Sequence, residues 1–138
     1  MTILEHANIT VRSIEQTLQF LAIVAPDFRL RHRGETPQHH WVHVGNNQHY
    51  LALQEPRDQS RVNSKRIPYH QLGVNHWGLQ VENLDEIETE LIAAGYRRSM
   101  ATPNETYRRR LYFFDHSGLE WELIEYFSQR FEQRYHYE

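Results

Sequence analysis

Histidine is the residue type in this sequence that most clearly could do chemistry. The chain of 138 residues contains ten histidines and no cysteine. Disulfides and thiolate metal sites are therefore excluded, whereas metal binding by imidazole and acid–base catalysis become the chemistry to test. His6, His76 and Glu122 form the candidate set. Two neutral imidazoles and one carboxylate suit Fe(II), Mn(II), Ni(II) or Zn(II), and they leave coordination positions open to water or substrate.

An internal repeat relates the two histidines. The segment "HANITVRSI" (6–14) aligns with "HWGLQVENL" (76–84) at an offset of 70 residues. At the same offset, "WVHVGNNQHYLALQEP" (41–56) lies over "LYFFDHSGLEWELIEY" (111–126) without a gap. The agreement of apolar positions at both ends predicts two copies of one structural unit.

Each half predicts a strand, an amphipathic helix and three further short strands. Ser13 is a plausible N-cap of the first helix, and Gly95 ends the second as a C-terminal glycine does. The helices are expected to bury Ile14, Leu18, Leu21 and Ala22 in the first half and Leu84, Ile87, Leu91 and Ile92 in the second. The predicted strands are 3–11, 28–33, 40–44 and 49–54, then 74–81, 96–100, 108–114 and 119–125.

These elements predict an α+β fold of two βαβββ repeats that form a curved mixed-sheet cup. The first module covers residues 1–56, and the polar segment 57–73 is the linker. The second module covers residues 74–126, and residues 127–138 form a C-terminal extension. Together they are expected to make one domain.

Strand alternation puts polar residues on the sheet face that turns away from each helix. In the first strand this face carries His6, Asn8 and Thr10, and in the last strand of the second half it carries Glu120 and Glu122. Such polar faces are either solvated or line a site. Glu120 is accordingly read as a proton-transfer group or as a solvated carboxylate at the rim.

Three segments carry a family resemblance: "LEHANITVRSIEQTLQFL", "VNHWGLQVENLDEIETELIAAG" and "LYFFDHSGLEWELIEY". They resemble the vicinal-oxygen-chelate superfamily, which includes glyoxalase I, fosfomycin-resistance proteins, extradiol dioxygenases and bleomycin-resistance proteins. "FFDHSGLEWEL" is similar to the family pattern FxDPDGxxxEL. The resemblance maps the family's metal ligands onto His6, His76 and Glu122. A fourth ligand found in glyoxalase I would fall on Ala52, so the set resembles the three-ligand sites of fosfomycin-resistance enzymes and dioxygenases.

The resemblance implies a divalent metal ion, with Fe, Mn, Ni, Zn or Co as the options, that chelates oxygens of a small substrate. Lyase, thiol-addition and dioxygenase chemistry are all compatible with it. A metal-free small-molecule binding protein of bleomycin-resistance type is the main alternative, and a regulatory dimer with a vestigial site is another. The remaining candidate residues are Glu120 and Tyr50 for catalysis, and Asn8, Trp41, His43 and Gln54 for substrate binding.

Composition limits the partners. The net charge is −3 with the histidines counted as neutral, so we expect neither nucleic acid nor a membrane as a partner. A cytoplasmic protein is expected in the absence of a recognisable signal peptide. The family resemblance implies a homodimer, and it leaves open whether His6 joins His76 and Glu122 of the same chain or of a partner.

Overall fold

The structure, a computed structural model, describes residues 1–62 and 65–137. Residues 63–64 of the expected linker and residue 138 of the expected C-terminal extension lie outside the described residues. The chain divides into two compact units, Met1–Ile67 and Pro68–Glu138, and each unit is described by itself.

The first unit consists of one helix and a four-stranded mixed sheet in the order β1-β4-β3-β2. Strand β1 runs parallel to β4, and the other neighbours are antiparallel. A short 3-10 helix, Gln59–Arg61, follows the last strand. The elements are β1 (His6–Thr10), α1 (Ile14–Val24), β2 (Arg29–Glu35), β3 (His39–Gly45) and β4 (Tyr50–Pro56).

The second unit repeats this arrangement, with a sheet in the order β5-β8-β7-β6. Strand β5 is again parallel to the last strand of its unit. The elements are β5 (His76–Gln80), α2 (Leu84–Ala93), β6 (Arg97–Arg98), β7 (Arg108–Phe114), β8 (Glu120–Tyr126) and α3 (Phe131–Arg134). The first and last residues of β5 lie 70 positions after those of β1, and the same holds for β8 and β4. The predicted α+β class and its two βαβββ repeats are confirmed.

The buried face of α1 differs from the expected one. Thr17, Phe20 and Val24 are almost fully buried together with Leu21, whereas Leu18 is only half-buried and Ala22 is exposed. The expected and the observed sets of buried residues both have helical spacing. Burying the large Phe20 ring removes more apolar surface from water than burying Ala22. In α2, Leu84, Ile87 and Leu91 are buried as expected, but Ile92 is 54% exposed.

A glutamate on the last strand of each unit holds the start of its helix. Glu55 Oε2 accepts a hydrogen bond from the backbone N–H of Ile14 at 2.7 Å. At the corresponding position, Glu125 accepts from the N–H groups of Asn83 and Leu84 at 3.0 and 3.4 Å. Because the first N–H groups of a helix lack partners within the helix, each carboxylate anchors helix to sheet.

Local signals at the helix ends are confirmed. The Ser13 side chain accepts from the backbone N–H of Gln16 at 3.2 Å, as an N-cap does. Gly95 has φ of +88°, the left-handed conformation expected after a helix. In the described part of the chain, no helix is both long and apolar enough to cross a membrane.

Candidate functional site

The parallel pairing of β5 with β8 brings the second unit's candidate metal ligands together. His76 lies opposite Glu120 in the register, and Gly78 lies opposite Glu122. The Nε2 atom of His76 is 3.0 Å from Oε2 of Glu122. Glu122 is only 9% exposed, so its carboxylate needs partners inside the protein.

The other carboxylate oxygen of Glu122 is held from β7. The Tyr112 hydroxyl donates a hydrogen bond to Oε1 at 2.6 Å, and Arg110 Nη1 lies 3.5 Å from the same atom. Burial, and next the hydrogen bond to Glu122, raise the pKa of Tyr112 well above its usual value. Tyr112 therefore remains a proton donor across the physiological range, and it leaves Oε2 directed at His76.

His76 is held on its other ring nitrogen by Tyr69, a residue of the segment before β5. The Tyr69 hydroxyl oxygen lies 3.1 Å from Nδ1 of His76, and the hydroxyl donates to Oε1 of Glu120 at 2.6 Å. Desolvation of its hydroxyl, followed by the hydrogen bond and charge of Glu120, raises the pKa of Tyr69 to about 12. Glu120 is 8% exposed, so the interpretation of this residue as a solvated carboxylate at the rim is wrong. The interpretation as a proton-transfer group stays a prediction.

The donor atoms of this pair fit a metal ion. A neutral imidazole carries one ring proton. If that proton is on Nδ1, where it meets the Tyr69 oxygen, Nε2 presents a lone pair to a carboxylate oxygen 3.0 Å away. Two such donors repel each other unless a cation lies between them, and imidazole nitrogen with carboxylate oxygen is a common donor set for divalent first-row ions. His76 and Glu122 would hold the ion.

The pair alone is an incomplete site. Within the described residues of either unit, no group of three or more His, Asp or Glu side chains could hold a metal ion. A catalytic metal ion usually has three protein ligands, so a metal at this pair would need one more.

His6, on β1 of the first unit, contacts a carboxylate and a tyrosine ring. Its Nδ1 atom is 2.5 Å from the Glu5 carboxylate, and its ring stacks on Tyr50 with centroids 4.8 Å apart and planes inclined by 15°. Histidine ligands of metals usually give their second ring nitrogen to a carboxylate, carbonyl or water, which directs the first nitrogen at the metal. In His6 the contact with Glu5 leaves Nε2 for that role.

Five aromatic and imidazole rings form a row across the first unit's sheet, which we call the ring row. Each ring contacts the next with centroids 4.8 to 5.3 Å apart. The indole of Trp41 lies over Gly34, its register partner, and a Cβ atom at position 34 would overlap it. The row consists, in order, of His6, Tyr50, His43, Trp41 and His32.

Other candidates lie beside the ring row. Asn8 is opposite Ala52, and Gln54 lies between Thr10 and Trp41 in the register. The structure thus gathers four of the candidate residues, His6, Tyr50, His43 and Trp41, into one row. Ala52 is 3% exposed and supplies no donor atom at the position of a fourth ligand.

Two residues of the site, Tyr69 and Tyr112, were missing from the set drawn from the sequence. Tyr112 had a usable signal, because the turn after β7 pairs it with Glu122 in the hairpin. Tyr69 had none, since the polar segment around it has no periodicity that predicts which side chain reaches the strand.

The comparisons with known proteins establish the family. A family model described as Glyoxalase/Bleomycin resistance protein/Dioxygenase superfamily matches residues 3–123. The chain belongs to this superfamily, which confirms the resemblance seen in the sequence. No curated protein matches the sequence.

Solved structures with similar folds come from several bacteria. A glyoxylase/bleomycin resistance protein/dioxygenase domain from Frankia sp. EAN1pec has a TM-score of 0.71 and 18% identity, and the match covers 91% of this chain and 98% of that one. The fosfomycin resistance protein FosX from Mesorhizobium loti has a TM-score of 0.66 and 16% identity, covering 99% of both chains.

A mutant of FosX from Listeria monocytogenes, complexed with Mn(II) and 1S,2S-dihydroxypropylphosphonic acid, has a TM-score of 0.71 and 17% identity. That match covers 97% of this chain and 98% of that one. At these identities the likeness shows a shared fold.

Proposed function

We propose that this protein is a metal-dependent enzyme whose divalent ion is held by His6, His76 and Glu122 and binds oxygens of a small substrate. The observation that carries the proposal is the approach of His76 Nε2 and Glu122 Oε2 to 3.0 Å. Tyr69 and Tyr112 contact the opposite atoms of the two side chains. The complex of Listeria FosX with Mn(II) makes Mn(II) the first ion to test.

The metal would supply Lewis-acid stabilisation of an enolate or oxyanion. The chain's own residues set the rest of the chemistry. Tyr112 fixes the Glu122 carboxylate, and Glu120 and Tyr50 are the proposed proton-transfer groups. Asn8, Trp41, His43 and Gln54 are the proposed substrate contacts, because they lie in or beside the ring row. Lyase, thiol-addition and dioxygenase reactions remain the candidate chemistries.

We also propose a homodimer, which rests on the family resemblance, and a cytoplasmic location, which is the expectation drawn from the sequence. The same resemblance supports a small molecule as the partner of the site.

Metal analysis after incubation and desalting tests the proposal. Wild-type protein should retain one ion per chain from a panel of Mn, Fe(II), Ni, Zn and Co. His76→Ala and Glu122→Gln should retain little or none of the ion after desalting, because each variant removes or weakens one of few ligands. His116→Ala is the matched control, since His116 also contacts a tyrosine through Nδ1 and is no candidate ligand. A wild-type protein that retains none of the five ions would overturn the proposed function.

The ring row favours a second candidate function, the metal-free binding of a small molecule. Stacked and tilted rings offer apolar faces on which a planar ligand can lie. Retention of one ion that both ligand variants lose would count against this candidate. If the ion is retained, an oxygen-electrode screen with catechols and a thiol-addition screen would separate the two main reaction classes.

A further inference from the structure

Tyr69 is held in a conformation that most residues avoid. Its φ of +67° lies in the left-handed region, where a side chain with Cβ is crowded. The backbone N–H of Tyr69 donates to the side-chain oxygen of Asn75 at 2.6 Å, one residue before His76. The segment before β5 is thus tied to the strand that carries the ligand, and backbone outliers of this kind occur preferentially at functional sites.

The Tyr69 hydroxyl links a buried carboxylate to the candidate ligand. It has one proton, and the shorter contact, 2.6 Å to Oε1 of Glu120, takes that proton. The hydroxyl oxygen then has only lone pairs to offer Nδ1 of His76 at 3.1 Å, so a hydrogen bond there requires the proton on Nδ1. A proton on Nδ1 leaves Nε2 of a neutral imidazole free to bind a metal.

We propose that Glu120, Tyr69 and His76 form a positioning relay: Glu120 orients the Tyr69 hydroxyl, and Tyr69 fixes the ring and tautomer of His76 for metal binding through Nε2. The relay rests on the proposed function. The relay provides a partner for Nδ1 of His76, as the Glu5 carboxylate does directly for Nδ1 of His6. Glu120 and Tyr69 are then positioning residues, which act through His76. This assignment replaces the proton-transfer role that the proposed function gives to Glu120, and Tyr50 keeps that role.

The relay predicts a measurable loss when the hydroxyl is removed. Tyr69→Phe should weaken Mn(II) and Zn(II) binding by about 10- to 100-fold, the usual effect of losing the partner of a metal-binding histidine. Isothermal titration measures the affinity. Tyr96→Phe is the matched control because Tyr96 makes the same contact with Nδ1 of His116, at 3.2 Å, in the same unit. It should leave the affinity unchanged.

A spectroscopic readout separates the relay from a general structural effect. In the Zn(II)-loaded wild type, nitrogen NMR should show His76 bound through Nε2, with an Nδ1–H proton protected from exchange with water. In Tyr69→Phe that protection should disappear in protein that is still folded, which circular dichroism of the same sample checks. Some loss of stability is expected, because the buried Glu120 loses its hydrogen bond from Tyr69. Glu120→Gln keeps an oxygen that can accept from Tyr69, so it should retain more affinity than Tyr69→Phe.

The possible failures are distinguishable. A wild-type protein that binds no ion overturns the proposed function and the relay together. A wild-type protein that binds an ion while Tyr69→Phe binds it within about two-fold, with the Nδ1–H proton still protected, overturns the relay alone. Weak binding by Glu120→Gln, equal to that of Tyr69→Phe, would show that an acceptor for the hydroxyl is insufficient and would overturn the assigned role of Glu120.

Discussion

Glu105 is a buried carboxylate that two arginines of β7 share. Its side chain is 7% exposed and accepts from Arg108 at 2.7 Å and from Nε of Arg110 at 2.7 Å. Burial alone would raise its pKa, but the hydrogen bonds from Arg108 and Arg110 outweigh burial and hold the pKa below its usual 4.5. Arg110 reaches onward to Glu122, so this cluster also supports the candidate metal ligand.

Glu105→Gln should therefore change both stability and its pH dependence. A carboxyl group whose pKa is lowered by folding stabilises the protein above its unfolded pKa, and the effect is lost as the pH falls through the folded pKa. We expect the variant to lose about 2 kcal/mol in the free energy of unfolding near neutral pH. The loss should shrink in acid, as the pH falls through the lowered folded pKa and the wild-type group takes up a proton. Urea unfolding near neutral pH and in acid measures it.

Glu132→Gln is the control for this experiment, since Glu132 is exposed and its ion pair with Arg130 is long, at 3.9 Å. It should change the unfolding free energy by less than about 0.5 kcal/mol. An equal loss for Glu105→Gln at both pH values would contradict the assigned cause.

At the scale of elements, the glutamates that anchor the two helices should make similar contributions to the free energy of unfolding. Glu125→Ala leaves two N–H groups at the start of α2 without their acceptor, and Glu55→Ala leaves one at the start of α1. Each variant should lose about 1–2 kcal/mol in the free energy of unfolding. Glu90→Ala, at an exposed position late in α2, should lose less than about 0.5 kcal/mol. Denaturant midpoints would contradict the anchor role if all three variants matched the wild type.

The sequence predicts the elements well because their signals are local. Strand alternation, the turns and the 70-residue offset predict both ends of β7 (Arg108–Phe114) correctly. They predict the ends of β4 and β8 to within two residues. The buried stripe of α1 was misjudged because Phe20 and Leu18 both have helical spacing, and only packing on the sheet decides between them. The predicted strand 96–100 shrinks to Arg97–Arg98.

The candidate site is predictable only in part, for a similar reason. Alternation puts His6, His76 and Glu122 on the faces that turn away from the helices. The contacts that orient them come from residues without a periodic signal. Tyr69 reaches His76 from an irregular segment, and no pattern in that segment predicts the burial of Glu120.

For the whole molecule, the proposed homodimer is open to a direct test. Light scattering during gel filtration should give twice the chain mass of 16.7 kDa, and a monomer at all concentrations would overturn the dimer. A mixture of His6→Ala and Glu122→Gln chains then locates the site. The mixture should recover ion binding if His6 of one chain serves His76 and Glu122 of its partner, and it should recover none if each chain builds its own site. In the first case dilution should release the ion.

The contact between Gly34 and Trp41 has a consequence for how this family can diversify. Because the indole occupies the space that a side chain at position 34 would need, position 34 cannot gain a side chain while Trp41 keeps its place. A descendant that replaces Trp41 with a smaller residue opens position 34 to substitution, whereas one that keeps Trp41 inherits the glycine. Among relatives, a residue other than glycine at position 34 should therefore occur together with a residue smaller than tryptophan at position 41.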